Sequence, residues 1–152
     1  MFSQKCHPAN MPNKPKTRAH NSEELRPSST LLLLSNDQAL ADLVREIVKP
    51  PWALVHHDAE RFQIRKMFSQ PNVRLVLLDD QTVDEDHRSW LLAQISKHFS
   101  GSPLLYVAGH HTDGNEKRAR TNGAQYYVSK PLEPERFGEV LRSFLQVQLI
   151  KG

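Results

Sequence analysis

The sequence is poor in the residue that builds disulfide frameworks and many zinc sites. Of its 152 residues only Cys6 is a cysteine. A single cysteine cannot close an internal disulfide, and it leaves no second thiolate for a zinc ion. No apolar run reaches the roughly 18 residues that a membrane-spanning helix needs. The amino terminus also lacks the apolar core of a signal peptide. We therefore expect a cytoplasmic protein that does not bind or span a membrane.

Two sequence signatures of catalysis and nucleotide binding are missing as well. No glycine-rich phosphate loop follows the first apolar run, Leu31–Leu34. The nucleophile elbow Gly-x-Ser-x-Gly does not occur, and Cys6 lies far from the apolar segments. These absences argue against an enzyme.

The excess of positive charge is confined to the amino-terminal segment. The formal net charge is +3, and residues 1–29 hold five basic and two acidic residues, so the rest of the chain is balanced. This segment is proline-rich and has few large apolar side chains, so burial cannot offset the entropy of ordering it. We predict a disordered basic arm over residues 1–29 and one domain over residues 30–150. The arm is either a solvated tail or, through Lys14–Arg18, a binder of an anionic partner. The balanced domain does not suggest binding to nucleic acid.

Short apolar runs alternate with amphipathic segments throughout the predicted domain. The runs predict five strands, at Leu31–Leu34, Trp52–His56, Val73–Leu78, Leu104–Ala108 and Ala124–Ser129. Helical periodicity follows each run, and in the third helix, residues 84–98, it predicts that Trp90 faces the core. This alternation is typical of a doubly wound, five-stranded parallel sheet with helices on both faces. The flavodoxin-like strand order 2-1-3-4-5 is the simplest arrangement.

Acidic side chains stand where the third predicted strand ends, at Asp79 and Asp80. Ligands of open α/β sheets bind outside the carboxyl ends of the strands, and the predicted order places strands one and three side by side. We therefore expect Asp79 to lie near the turn Ser35–Asp37. Because side chains alternate along a strand, Asp80 should point away from Asp79. The histidine pairs at 56–57 and 110–111 would lie three strand spacings apart, on the order of 14 Å, too far for one metal ion.

The stretch Leu31–Gln148 resembles the receiver domain of two-component response regulators. The motifs that carry the resemblance are Leu75-Val76-Leu77-Leu78-Asp79 and Gly123-Ala124-x-x-Tyr127-x-x-Lys130-Pro131, together with the order and length of the elements. The resemblance implies that Asp79 accepts a phosphoryl group from a histidine kinase, with Mg²⁺ held by Asp79 and by the backbone carbonyl of Gln81. Lys130 would clamp the phosphoryl oxygens, and Tyr127 would be the aromatic side chain that rotates on activation.

Several positions depart from the pattern of that family. Ser35 and Asn36 stand where the family has two carboxylates, which leaves Asp37 as the nearest acid and as a candidate metal ligand. Ala108 stands at the switch position where the family has a hydroxyl residue. Because Mg²⁺ prefers charged oxygen ligands, the resemblance implies a weakened metal site. Lys130 could instead pair with Asp79 and close the crevice without any phosphate.

Three hypotheses follow. The first is a stand-alone, atypical receiver domain that acts in phosphorelay signalling as a protein-interaction module, with weak or absent phosphorylation of Asp79. The second is a functional phospho-acceptor that uses Asp79 with Mg²⁺, and the third is a flavodoxin-like cofactor binder or enzyme. The expected partners are a histidine kinase or another signalling protein, with the chain as a monomer or weak homodimer. The expected contact residues are Lys117, Arg118, Arg120 and Tyr126, although a solvated helix face explains the three cations equally well.

Overall fold

A computed structural model describes residues 29–58 and 64–151. Residues 1–28 of the predicted arm lie outside this part of the chain. The strands are β1 (Thr30–Leu34), β2 (Ala53–His57), β3 (Val73–Asp79), β4 (Leu104–Ala108) and β5 (Ala124–Ser129). The helices are α1 (Gln38–Ile47), α2 (Ile64–Phe68), α3 (Glu85–His98), α4 (Asp113–Thr121) and α5 (Pro134–Lys151). A short 3-10 helix, Asp80–Thr82, follows β3 where the sequence suggested only a loop.

The five strands form one sheet in the order β2-β1-β3-β4-β5, and every neighbouring pair is parallel. The predicted fold class and strand order are therefore confirmed. The pairing of Leu34 with Leu78, of Asp79 with Val107 and of Ala108 with Ser129 aligns the carboxyl ends of four strands. The loops that leave these ends consequently share one edge of the sheet.

Apolar side chains cover both faces of the sheet. Leu31, Leu33, Leu75 and Leu77 face α1 and α5, where they meet residues such as Val44 and Leu141. The alternate residues Leu32, Leu34, Val76 and Leu78 pack with Met67, Leu91, Ile95 and Ala119 of the helices on the other face. Burial of one leucine side chain stabilises a fold by roughly 1.5–3 kcal/mol. The two layers therefore supply a rigid platform for the loops at the carboxyl edge.

Trp90 does not face the core, so its predicted orientation is wrong. It is 46% exposed, whereas Leu91, Leu92 and Ile95 are buried. Residues three and four apart share a helix face, and Leu91, Leu92 and Ile95 complete the buried stripe of α3. Trp90 precedes this stripe by one residue and falls beside it. The apolar pattern correctly predicted the helix, but it wrongly placed Trp90 on the buried face.

The described helices show how local sequence sets their ends. Asp37 caps α1 by accepting the backbone N–H of Leu40 at 3.2 Å, and Thr112 caps α4 by accepting that of Asn115 at 3.0 Å. Such caps satisfy amides that the first helical turn leaves without partners. The apolar pattern after β2 also predicts that Phe62 faces inward from the second helix, but Phe62 lies outside the described residues. Within the described ranges, no helix has both the length and the apolar character needed to cross a bilayer.

Candidate functional site

Asp79 ends β3 at the carboxyl edge of the sheet, and only 1% of its side chain is exposed. The hydroxyl of Ser35 donates to Asp79 Oδ2 at 2.8 Å, because β1 and β3 are neighbours and Ser35 directly follows β1. The chain turns into the 3-10 helix immediately after Asp79. The backbone N–H of Gln81 therefore folds back and donates to Asp79 Oδ1 at 3.2 Å.

Lys130 lies in the same crevice as Asp79. Its ammonium is 2.9 Å from Asp79 Oδ2, 2.9 Å from Asp37 Oδ2 and 2.9 Å from the side-chain oxygen of Gln81. An ammonium group has three N–H donors, so these three acceptors use all of them. The backbone N–H of Lys130 also donates to the carbonyl of Ala108 at 2.9 Å, which fixes the start of this loop against β4. One cation thus joins the carboxylate at the end of β3 to the carboxylate that caps α1.

The electrostatics of the crevice favour the charged forms of this cluster. The hydrogen bond from Lys130 is the largest effect on the Asp37 carboxyl, and it lowers the pKa of Asp37 from 3.8 despite partial burial. Burial by itself disfavours the ammonium of Lys130, but hydrogen bonds to Asp37 and Asp79 outweigh it and raise its pKa above 10.5. The ion pair between Asp37 and Lys130 therefore persists across the whole neutral range.

The side chain of Gln81 closes the crevice on the β4 side. It passes over Gly109, the residue that follows β4, and reaches Lys130. A Cβ atom on residue 109 would overlap the Cγ and Cδ atoms of Gln81, so this packing requires glycine. The sequence indicated the backbone of Gln81 as functional but gave no sign of its side-chain role or of Gly109.

The donor set of the crevice fits a protein cation better than Mg²⁺. Mg²⁺ prefers charged oxygen ligands in octahedral geometry. Here Ser35 contributes a neutral hydroxyl, Asn36 is engaged through its backbone N–H with Thr82 Oγ1 at 3.0 Å, and Lys130 lies between the two nearest carboxylates. Within the described ranges, no group of three or more His, Cys, Asp or Glu side chains could hold a metal ion.

Asp80 points away from Asp79, as the strand alternation predicted, and it has its own partners. It accepts the hydroxyl of Tyr106 and the backbone N–H of Gly109, each at 2.9 Å. Burial first, and then the charge and hydrogen bond of Asp80, raise the pKa of the Tyr106 phenol. The sequence did not single out Tyr106, because an aromatic residue inside an apolar strand is typical of an ordinary core position.

The two predicted switch residues lie beside this second carboxylate. Ala108 is fully buried, and its methyl group can make no hydrogen bond to the crevice. Tyr127 stacks on Tyr106 with ring centroids 5.7 Å apart, and its hydroxyl lies 3.1 Å from Nδ1 of His111. Burial, followed by the charge of Asp80, raises the pKa of Tyr127.

The predicted contact residues do not form one cluster. Lys117 and Arg120 are exposed on α4, and Arg120 pairs with Glu116 at 2.9 Å. Arg118 is half-buried and donates to Asn115 at 2.9 Å. Tyr126 lies across the sheet, where its ring packs near Phe144 of α5 with centroids 6.4 Å apart. Alternation along β5 sends Tyr126 and Tyr127 to opposite faces.

The fold and this site define an open, doubly wound α/β domain with an acid after its third strand and a lysine after its fifth. It is similar to a CheY-like response regulator receiver domain protein from Methanospirillum hungatei, with 21% identity and a TM-score of 0.66, over 83% of this chain and 100% of that one. A response regulator from Thermotoga maritima matches with 13% identity and a TM-score of 0.65, over 79% and 99% of the two chains. A signal receiver domain of a two-component histidine kinase from Clostridium thermocellum matches with 16% identity and a TM-score of 0.65, over 78% and 98%.

These similarities show that the chain has the receiver fold, and the resemblance drawn from the sequence is confirmed at that level. No family model matches the sequence, and no curated protein matches it significantly.

Proposed function

We propose that the protein is an atypical receiver domain that acts in signal transduction as a protein-interaction module, with weak or absent phosphorylation of Asp79. The observation that carries the proposal is the ammonium of Lys130, held 2.9 Å from both Asp79 and Asp37. A protein cation already pairs with the carboxylates that a receiver needs for its metal, and it offsets one of their two negative charges. The crevice is therefore only partly available to a divalent cation, even without any ligand.

Phosphoryl transfer depends on positioning and on neutralising spread negative charge. With Ser35 and Asn36 in place of two acids, Mg²⁺ binds weakly. The transition state of transfer then loses several kcal/mol of stabilisation by the metal, so the barrier is higher. Each ~1.4 kcal/mol lowers the rate tenfold. The nucleophilic carboxylate of Asp79 is also occupied, because its Oδ2 atom already accepts hydrogen bonds from Ser35 and Lys130. Ala108 lacks the hydroxyl that would draw a loop toward a phosphoryl group.

A second candidate function is ordinary phospho-acceptance, favoured by one observation. One crevice brings together Asp79, Lys130 and Asp37. Phospho-acceptance requires such proximity, with Asp79 as the acceptor, Lys130 as the phosphate clamp and Asp37 as the remaining acid. In this alternative Asp79, Asp37 and the backbone carbonyl of Gln81 would hold Mg²⁺, which would supply the charge neutralisation that phosphoryl transfer needs. The weak point is the cost of separating Asp37 from Lys130.

The proposed partner is a histidine kinase or another signalling protein, bound in the cytoplasm by a chain without catalytic activity of its own. Lys117, Arg118 and Arg120 on α4 are the proposed contact residues on one face, and Tyr126 is the one on the other. The chain is proposed to be a monomer or weak homodimer. Its basic arm, residues 1–29, is proposed to stay solvated unless an anionic partner binds it.

The test is a phosphorylation assay with a small phosphodonor and Mg²⁺, followed by intact-mass measurement. The wild type is compared with Asp79→Asn and with Ser35→Asp/Asn36→Asp, which restores two carboxylates after β1. We expect little or no phosphoprotein from the wild type and at least a tenfold gain in the restored variant. A stoichiometric product of the wild type that Asp79→Asn abolishes would establish the second candidate instead.

A further inference from the structure

The β4–α4 loop, residues 109–112, is anchored to a buried carboxylate outside the crevice. Asp80 is 2% exposed, and each of its oxygens has a separate donor. Oδ2 accepts the hydroxyl of Tyr106 and Oδ1 accepts the backbone N–H of Gly109, both at 2.9 Å. Hydrogen bonds to an ionised acceptor are about twice as strong as those between neutral groups. A single side chain at the end of β3 therefore fastens both β4 and the first residue of the loop.

The aromatic side chains next to this carboxylate lead back into the same loop. The ring of Tyr106 stacks on that of Tyr127 at an interplanar angle of 14°. The hydroxyl of Tyr127 lies 3.1 Å from Nδ1 of His111, and the two rings meet edge to face at 5.6 Å. Asp80, Tyr106, Tyr127 and His111 thus form a chain of contacts that begins and ends at residues 109–111. Each contact limits the movement of the next.

The side chain of Asp79 makes no hydrogen bond to the side chains of Asp80, Tyr106, Tyr127 or His111. That side chain is bound by Ser35, Lys130 and the backbone of Gln81, and none of these donates to Asp80. At the end of β4, Ala108 provides no hydroxyl through which the crevice could pull on the loop. Two links remain, the side chain of Gln81, which packs over Gly109, and the backbone hydrogen bond from Lys130 to the carbonyl of Ala108.

We propose that Asp80 is a positioning residue that holds the β4–α4 loop and Tyr127 in one arrangement, whatever the state of Asp79. A hydroxyl at position 108 could hold the loop only while a ligand occupies the crevice. Asp80 holds the loop permanently, from the side of the sheet opposite to Asp79. This assignment does not rest on the proposed function, since it concerns the same loop whether or not Asp79 accepts a phosphoryl group.

The test is amide hydrogen exchange and ring NMR on the full chain. In Asp80→Ala we expect the Gly109 amide to exchange at least tenfold faster than in the wild type, and the ring signals of Tyr127 to shift. Tyr106→Phe separates the two hydrogen bonds of Asp80, because it removes only the one from the Tyr106 hydroxyl. It should shift the ring signals of Tyr127 while the Gly109 amide keeps its exchange rate within about twofold. The matched control, Asp79→Asn, should change neither readout. Unchanged exchange of the β1 amides shows in each case that the fold is retained.

Two results would overturn the assignment. One is unchanged exchange at Gly109 in a folded Asp80→Ala protein, and the other is an equal acceleration in Asp79→Asn. If Asp80→Ala does not fold, Asp80→Leu replaces it, because leucine has nearly the shape of aspartate and its side chain accepts no hydrogen bond. Both Gly109 and Tyr127 must then respond, and a folded variant in which neither changes would contradict the proposal.

Discussion

Replacing Lys130 with methionine removes the cation of the crevice and leaves its stem nearly intact. Two carboxylates would then face each other, one of them in Asp79, whose side chain is 1% exposed. Removing one partner of a buried ion pair costs about 3–5 kcal/mol. We expect about 3 kcal/mol, the lower end of that range, because Asp79 keeps its hydrogen bonds to Ser35 and Gln81. For a domain of this size that lowers the melting temperature by about 10 °C.

Urea unfolding measures this cost and separates it from the loss of packing, and it compares the wild type with Lys130→Met, Asp37→Asn, Asp79→Asn and Lys130→Met/Asp79→Asn. Asp37→Asn breaks the more exposed pair, in which the Asp37 side chain is 33% exposed, and should cost only about 1 kcal/mol. The double variant Lys130→Met/Asp79→Asn removes the unpaired buried charge. It should therefore be more stable than Lys130→Met alone, with a coupling of about 2 kcal/mol.

Addition of Mg²⁺ gives the same experiment a second readout. With the ammonium gone, Asp37 and Asp79 are free to bind a divalent cation, and binding to the native state raises its stability. Millimolar Mg²⁺ should stabilise Lys130→Met and leave the wild type unchanged. The reasoning is refuted if Lys130→Met is as stable as the wild type, or if the double variant is the less stable of the two.

Three further predictions concern packing and pH. In urea unfolding, Leu91→Ala should cost about 2–5 kcal/mol and the exposed Trp90→Ala below about 1 kcal/mol, so equal costs would contradict the described face of α3. Gly109→Ala should displace the exposed side chain of Gln81 and cost about 0.5–1.5 kcal/mol, the net value of its hydrogen bond with Lys130, whereas in a calorimetric scan the same change in a Gln81→Ala background should cost almost nothing. Burial lowers the pKa of His57 from 6.5, because it disfavours the charged imidazole in the folded state. The stability that neutral His57 gives the fold is therefore fully present above pH 6.5 and is lost as the pH falls through the lowered pKa. His57→Gln should flatten the fall in melting temperature on that acidic side.

The sheet and the meeting of Asp79 with Lys130 could be predicted from the sequence, because both depend on where apolar runs end. Parallel strands bring their carboxyl ends to one edge, so an acid at the end of β3 and a lysine after β5 share that edge, and the long side chain of lysine can span the two strand spacings between them. The pairing of Asp37 with Lys130 depends on a loop conformation that no periodicity encodes. The sequence therefore offered Asp37 only as a possible metal ligand.

The contacts of Asp80 could not be predicted for a different reason. Strand alternation correctly sends Asp80 away from Asp79, but it does not identify the groups on that side. The partners of Asp80 are a core tyrosine, Tyr106, and a backbone amide, that of Gly109. Neither has a sequence signature of its own. The misplaced Trp90 has the same origin, since an apolar residue next to a helical stripe is indistinguishable in sequence from one that belongs to it.

Titration of the wild-type protein with Mg²⁺, followed by the amide NMR signals of Asp79, Gln81 and Lys130, tests the central claim most directly. If the ammonium of Lys130 holds the position of the metal, these signals should not move at millimolar Mg²⁺, while those of Ser35→Asp/Asn36→Asp should move and saturate. Saturable shifts of the wild type at submillimolar Mg²⁺ would contradict the account, since they would show that the crevice binds the metal in spite of its lysine.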